Sequence, residues 1–296
     1  MGYLSAADVA ARWGVSERSV RNYCAQGRIP GAVLIGRTWS IPEAAEKPAR
    51  LNARLPQGNT LVTRLLDEKE AGIKGGIYHK VQTELAYNSN HMEGSRLSLD
   101  QTRLIFETST LAPDGASVRI DDIFEAVNHF KAVDYILDSA FHPMTQAMMK
   151  TLHRMLKLGT SDAEKPWFGV GEYKRLPNEV AGRKTAAPED VEREIAALLK
   201  DYGPKESHSL RDIIEFHVGF ERIHPFQDGN GRVGRLLMFK ECLSNGIAPF
   251  VIEDEMKGFY YRGLSEWGSD PGYLVDTCLA AQDRFKAVMD YFRIDL

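Results

Sequence analysis

The 296 residues are 43 % apolar and carry 37 Lys and Arg against 41 Asp and Glu, a net charge of −4. That content supports two domains with a sizeable core, and with no apolar run of membrane-spanning length and no secretory pattern at the start, a soluble, cytoplasmic protein without membrane partners is expected. Cys24, Cys242 and Cys278 are odd in number and far apart, which excludes a disulfide framework or a cysteine metal site and predicts reduced thiols.

In chain order, Ser5 and Ser16 are placed as N-caps of two short helices, over residues 6–13 and 17–26. Gly14 makes the turn between them and Gly27 ends the second. Residues 32–41 then hold two short β runs around Gly36-Arg37, a hairpin or wing. On the second helix Ser16, Arg18, Ser19, Arg21 and Asn22 are residue types that reach phosphates and base edges. These elements, with the closing run Gly36-Arg-Thr-Trp-Ser-Ile41, resemble the small winged helix-turn-helix of excisionase and MerR-type regulators. The resemblance implies DNA contact through a domain spanning 1–46; a protein-interaction appendage of the same fold is the alternative. Residues 1–50 hold seven Lys and Arg against four Asp and Glu. So small an excess implies weak DNA binding by one unit, and therefore a homodimer or a helper.

Pro48 and Pro56 punctuate a linker over 47–60, leaving 61–296 as a second domain. Residues 77–92 read as a helix, with Gly94 as the residue that follows its C-terminus. Ser98-x-x-Gln101 is a capping box, and helical periodicity continues through 100–137 and 144–156. Pro188 is placed in the first turn of the next helix. The body is expected to be mostly α.

One segment concentrates chemistry: His224-Pro-Phe-Gln-Asp-Gly-Asn-Gly-Arg-Val-Gly-Arg235. Upstream, Leu210, Ile213, Ile214, Phe216, Val218, Phe220 and Ile223 surround a helical period, which predicts a buried helix ended by Pro225. Leu236, Leu237, Met238, Phe239 and Leu243 restart an apolar helix, so 226–231 is a tight connection feeding a helix N-terminus. Gly229 and Gly231 are expected to take positive φ and let successive amides form an anion-binding concavity. Arg232 and Arg235 project from one turn as planar forks suited to phosphate. Asp228 is a hard ligand for Mg²⁺, which binds through one or two carboxylates plus substrate phosphates. His224 is the nearby group able to accept a proton near neutral pH. Gly229-Asn-Gly231-Arg-Val-Gly234 also fits the dinucleotide pattern G-x-G-x-x-G, but a helix and His-Pro precede it where that fingerprint requires a strand.

This segment resembles the Fic motif, His-Pro-Phe-x-Asp/Glu-Gly-Asn-Gly-Arg-x-x-Arg, at every fixed position, and the similarity extends over roughly residues 65–290. The resemblance implies a Fic-type helical domain that transfers AMP from ATP to a Ser, Thr or Tyr hydroxyl of a target protein. His224 would be the base and Asp228 the Mg²⁺ ligand. Gly229, Asn230, Gly231 and Arg232 would hold the α- and β-phosphates and Arg235 the γ-phosphate, with Phe226 as the loop's core anchor. Ser89-Asn-His-Met-Glu93-Gly94 resembles the family's inhibitory motif, S/T-x-x-x-E-G/N. It implies a helix over about 77–93 whose Glu93 pairs with Arg235 and keeps ATP unproductive; in some relatives this glutamate is associated with removal of AMP instead. Gly171–Arg175 and Asn178–Lys184 resemble the Fic flap, with Val180, Ala181, Gly182 and Arg183 bordering ATP and the 178–184 edge clamping a target by strand addition. Phe259-Tyr-Tyr261 resembles a tyrosine pair, Tyr260 and Tyr261, lining the adenine pocket. Gly268 stands where some relatives carry asparagine, which leaves the choice of nucleotide open. The alternative function is a transcriptional regulator or antitoxin-like module whose Fic body senses nucleotide, or transfer of another nucleotide or phospho group.

Overall fold

The computed structural model describes residues 2–25, 29–35, 38–48, 60–112, 117–180, 182–203 and 206–295. The chain divides into two compact units, Met1–Arg54 and Leu55–Leu296.

In the first unit β1 (Tyr3–Ser5) runs into α1 (Ala6–Trp13), followed by α2 (Glu17–Ala25), β2 (Val33–Ile35) and β3 (Thr38–Pro42). Ser5 closes a capping box: its hydroxyl accepts from the Asp8 amide and the Asp8 carboxylate accepts from the Ser5 amide, both at 3.2 Å. Gly14 ends α1 at φ 63°, where a side chain would be strained. The Ser16 hydroxyl accepts from the Ser19 amide at 3.2 Å and starts α2. The sheet order is β1-β3-β2, antiparallel throughout, with Leu4 opposite Ile41 and Leu34 opposite Trp39. β1 is an addition to the expected elements, because three residues are too few for alternation to show. Val9, Val20, Cys24 and Ile41 are core residues of this unit. Gly27, Gly36 and Arg37 lie outside the described residues.

The second unit is built from α3 (Thr60–Ala71), α4 (Ile77–Met92), α5 (Leu99–Thr108), α6 (Ile120–Asp138), α7 (Gln146–Lys157), β4 (Glu179–Val180), β5 (Arg183–Lys184), α8 (Val191–Tyr202), α9 (Leu210–Ile223), α10 (Asn230–Ser244), α11 (Lys257–Glu266) and α12 (Gly272–Tyr291). α10 packs against α4, α6, α7 and α9. Nearly every residue from Asn230 to Leu243 is buried, so the helix carries no polar stripe. α4 begins without a side-chain cap of its own. Glu68 of α3 supplies one instead: it accepts from the Tyr78 amide at 2.9 Å and pairs with Arg64 Nε at 2.6 Å. A Cβ on Gly76 would lie 2.1 Å from Glu68 Oε2, so glycine is needed there to admit the carboxylate. α5 opens with the expected Ser98–Gln101 box, and α9 with a second box from Ser209 and Asp212.

Pro188 lies in a turn before α8 rather than in its first turn. The Asp190 amide donates to the Ala187 carbonyl at 2.9 Å, closing that turn before the helix starts at Val191. Among the described residues no helix is long and apolar enough to cross a membrane. All three cysteines are buried and free.

Candidate active site

The site grows from the α9–α10 junction. α9 ends at Ile223, and His224 sits past it at φ 52°, ψ 63°, its amide donating to Phe220 O at 2.9 Å. A left-handed residue before proline is strained, at about 1–3 kcal/mol, and several bonds hold it there. Phe226 is fully buried and stacks on the His153 ring at 4.2 Å and 5°. Its amide donates to Asn230 Oδ1, and Asn230 Nδ2 donates back to Phe226 O, each at 2.8 Å. From the flap side the Lys174 amide donates to Pro225 O at 2.8 Å, while Lys174 Nζ bonds Asn178 Oδ1 at 2.8 Å, Thr185 Oγ1 at 2.6 Å and Ile223 O at 3.2 Å. The loop after α9 and the base of the flap are thus one bonded unit.

Burial first, and the nearby Lys174 ammonium second, hold the His224 imidazole down to about 4. It is therefore neutral at pH 7 and able to take a proton. Glu221, one turn earlier on α9, places Oε2 3.8 Å from His224 Nδ1. Burial pushes the Glu221 carboxyl up to about 7, against the pull of Arg235.

Gly229 is the N-cap of α10 at φ 79°, as the anion-concavity expectation requires. Gly231 differs from expectation: α10 already starts at Asn230, so Gly231 is helical and its φ is not positive. Its missing side chain makes room instead, since a Cβ there would lie 2.4 Å from Glu93 Oε1 and 2.8 Å from Arg235 Nη1. Arg232 is buried, with Nη1 2.7 Å from Glu125 Oε1 and Nη2 3.0 Å from Asp228 Oδ2. Burial works to raise the Asp228 carboxyl, but Arg232 and Lys157 hold it well below the usual carboxylate range. Lys157 Nζ reaches the same Oδ2 at 2.7 Å.

The second arginine is taken by α4. Arg235 Nη2 donates to Glu93 Oε1 at 2.7 Å and to Ser89 O at 3.0 Å, and Nε donates to Ser89 Oγ at 3.0 Å. Burial opposes ionisation of Glu93, yet Arg235 and then Arg232 bring its carboxyl below the ordinary value. Gly94 follows at φ 94°, letting the chain turn away once Glu93 has been presented. Arg235 Nη1 and Arg232 Nε are buried donors with no hydrogen-bond partner among the described residues. Unpaired buried guanidinium donors at a helix N-terminus are what an incoming phosphate would satisfy.

A cavity of about 930 Å³ opens between the flap and α11, lined among others by Val180, Arg183, Glu221, Arg222, Tyr261 and Leu264. That is ample for a nucleoside. Arg183 Nη2 donates to Ser265 Oγ at 3.0 Å, joining flap to α11. The flap strands pair Glu179 with Lys184 and Val180 with Arg183, and both are exposed. Gly182 sits at their turn at φ 76°, and Ala181 lies outside the described residues. The expected tyrosine pair separates. Tyr261 faces the cavity, whereas Tyr260 is fully buried, sharing a 2.6 Å hydrogen bond with His217 Nε2. Consecutive helical residues point about 100° apart, so one of the pair must turn inward; Phe259 is exposed. Gly268 leaves space beside Arg222, whose Nη2 lies 3.7 Å from where a Cβ would stand.

Among the described residues no group of three His, Cys, Asp or Glu side chains could hold a metal alone. Mg²⁺ needs less, because one carboxylate plus phosphate oxygens suffices. Asp228, ionised and partly exposed with one oxygen engaged by Lys157 and Arg232, fits that role. Lys157, Glu125, Glu221 and His153 were not among the residues expected from sequence; they sit on ordinary helical stretches, and only the fold brings them to the motif. Lys174 lies in the expected 171–175 flap stretch, which is not strand here: the paired strands are Glu179–Val180 and Arg183–Lys184.

Residues 143–242 match the Fic/DOC family and residues 3–45 the helix-turn-helix domain family. The chain carries a Fic domain behind an N-terminal helix-turn-helix domain. Curated relatives include Protein adenylyltransferase Fic of Nematostella vectensis, 28 % identical over 183 residues, covering 61 % of this chain and 42 % of that protein. The namesake of Culex quinquefasciatus is 34 % identical over 203 residues, 67 % of this chain and 37 % of that one. The chain thus spans about two-fifths of the length of the curated relatives it matches. Among solved structures, a Fic domain containing signaling protein from Bacteroides thetaiotaomicron superposes with a TM-score of 0.58 at 26 % identity, covering 78 % of this chain and 90 % of that one. Fic-1 from C. elegans gives 0.62 at 19 % identity over 79 % and 72 %, a likeness of fold.

In the helix-turn-helix domain, Arg18, Arg21 and Asn22 of α2 are exposed, with Arg21 paired to Glu17 of the same helix. Ser16 and Ser19 are engaged with each other, their hydroxyls 2.9 Å apart.

Proposed function

We propose that this protein transfers AMP from ATP to a Ser, Thr or Tyr hydroxyl of a target protein, and that Glu93 holds the reaction down by occupying Arg235. The observation carrying this reading is the convergence of neutral His224, ionised Asp228 and the unpaired donors of Arg232 and Arg235 on one loop–helix junction, beside a nucleoside-sized cavity. The target hydroxyl oxygen attacks the α-phosphorus, the bond from that phosphorus to the bridging oxygen of the β-phosphate breaks, and pyrophosphate leaves. His224 takes the hydroxyl proton, help worth about 10²–10⁴ in rate. The α10 N-terminus and Arg232 face the α- and β-phosphates, and Arg235 the γ-phosphate once Glu93 yields it. Asp228 would hold Mg²⁺, which would supply charge neutralisation to the phosphates. The exposed β4–β5 edge offers main-chain bonds to a target segment. α2 lies on DNA in this reading, supported by its exposed cations and by the helix-turn-helix match.

Incubation of wild type, Glu93→Gly and Glu93→Gly/His224→Ala with labelled ATP and Mg²⁺ tests the enzyme reading. Label on protein with the single variant and none with the double supports it; none with either removes it. For DNA, a salt-dependent mobility shift lost in Arg18→Ala/Arg21→Ala is expected, and no shift at low salt refutes the contact.

A further inference from the structure

We propose that Lys157 is a built-in counter-cation of the phosphate site, holding Asp228 and Glu125 so that the loop accepts a nucleotide triphosphate before any divalent metal arrives. This rests on the reading of the α9–α10 junction as a triphosphate site.

Lys157 ends α7 and is 1 % exposed, a burial that strips an ammonium of its water. Its Nζ meets carboxylates from three separate parts of the fold: Glu125 of α6 at 3.0 Å, Asp162 of the following turn at 2.7 Å, and Asp228 of the catalytic loop at 2.7 Å. The lysine stem runs beneath the phosphate-facing turn, with Cδ 3.7 Å from where a Gly229 Cβ would stand.

Charge is what the arrangement controls. Glu125 and Asp228 also pair with Arg232, and Asp162 with the exposed Lys165. With Asp162 matched by Lys165, Glu125 and Asp228 share one ammonium and one guanidinium. Without Lys157 they would present an uncompensated negative charge to an incoming triphosphate. Lys157 and Arg232 both bond Oδ2 of Asp228. The carboxylate is thereby oriented, and its other oxygen is the one that can serve a metal. Lys157 therefore acts as a positioning residue and as a standing neutraliser, tasks a divalent ion would otherwise perform alone.

The test is calorimetric titration of ATP into wild type, Lys157→Met and Lys157→Arg, in EDTA and again in saturating Mg²⁺. Lys157→Met is expected to lose at least about tenfold in affinity in EDTA but under about threefold in Mg²⁺. Lys157→Arg should stay within about threefold of wild type in both. An equal loss in both buffers marks a merely structural lysine and overturns the proposal. Unchanged affinity of Lys157→Met in EDTA overturns it too, as does wild-type binding that exists only with Mg²⁺. Wild type that binds ATP in neither buffer removes the nucleotide reading itself, a distinguishable failure. Circular dichroism checks folding. Where Lys157→Met does not fold, Lys157→Met/Asp162→Asn, which removes one carboxylate along with the lysine, is judged by the same criteria.

Discussion

Arg235 is 5 % exposed and three of its donor contacts go to α4, two at Ser89 and one at Glu93. Glu93→Gln keeps the shape of that third partner and removes its charge. A charge-assisted hydrogen bond contributes about 1.5–3 kcal/mol and a neutral one about 0.5–1.5, so the amide forfeits about 1–1.5 kcal/mol and the productive ATP pose should gain about 5- to 13-fold. Ser89→Ala leaves the Glu93 carboxylate in place and loosens a bond that aims the guanidinium, so it brings no such gain. The rate of label incorporation from ATP should therefore be higher for Glu93→Gln than for either Ser89→Ala or wild type. A second readout is independent of turnover. With Glu93 gone, a buried guanidinium lacks its anion, and breaking such a pair costs up to about 3–5 kcal/mol; Glu93's 26 % exposure puts the cost at the low end or below. Glu93→Gln should melt lower than wild type without nucleotide, and ATP at 100 times its Kd should restore about 2.7 kcal/mol. Wild type and Glu93→Gln labelling at one rate, or Ser89→Ala outrunning Glu93→Gln, would refute the reasoning.

Lys174→Met should raise the pKa of His224 from about 4 toward its ordinary 6.5, because the ammonium disfavours the imidazolium. Glu93, Asp228 and the Glu221 carbonyl act in the opposite sense. The acidic limb of the transfer rate should then move to higher pH; an unmoved limb refutes the coupling. His129, His153 and His217 are held to about 3 by burial and neighbouring cations, and His224 to about 4, against 6.5 when unfolded. The unfolded chain therefore takes protons first: the stability these groups give is complete above about pH 6.5 and is lost as pH falls through 6.5 toward 3. The slope is up to about 1.4 kcal/mol per pH unit for each histidine. Urea midpoints at pH 7.5 and 5.5 check this, and equal midpoints refute it. Gly76→Ala should displace Glu68 from the Tyr78 amide and cost about 1–3 kcal/mol, read as a lower melting temperature; an unchanged melt sinks the remote-cap account.

Much of the site was legible because local chemistry encodes it. Ser98 and Gln101, or Ser5 and Asp8, close boxes over three residues. The apolar run after Arg235 declares a buried helix, and Phe226 declares an anchor. What escaped is either too short or too distant. β1 has three residues. Lys157 meets Asp228 across 71 positions, and nothing near Lys157 in sequence marks it as more than the polar end of an amphipathic helix. Tyr260 and Tyr261 looked equivalent until the turn of α11 sent one into the core. Gly231 read as a turn residue, but a helix already begun at Asn230 uses it as a gap for another helix's carboxylate. Glycine spacing in a motif does not reveal whether freedom of φ or absence of Cβ is being used.

That gap bears on how, in the proposed reading, inhibition and catalysis would share one guanidinium. Of the three α4 bonds to Arg235, one is to the Ser89 main-chain carbonyl, and two in all survive any change at Glu93. α4 also places Ile77, Val81 and Leu85 in the largest core cluster, alongside Val233 and Leu236 of α10. The helix that would block Arg235 is therefore also the helix that holds it in place. Withdrawing α4 bodily would disorder the arginine together with the core beneath it. Withdrawing the Glu93 carboxylate alone frees one donor bond while the fork stays pinned at Nε and at the Ser89 carbonyl. On that reading, release needs only the Glu93 carboxylate, just past the end of α4, to leave; it fills the space that the missing Cβ of Gly231 provides, and Gly94 at φ 94° turns the chain directly after it.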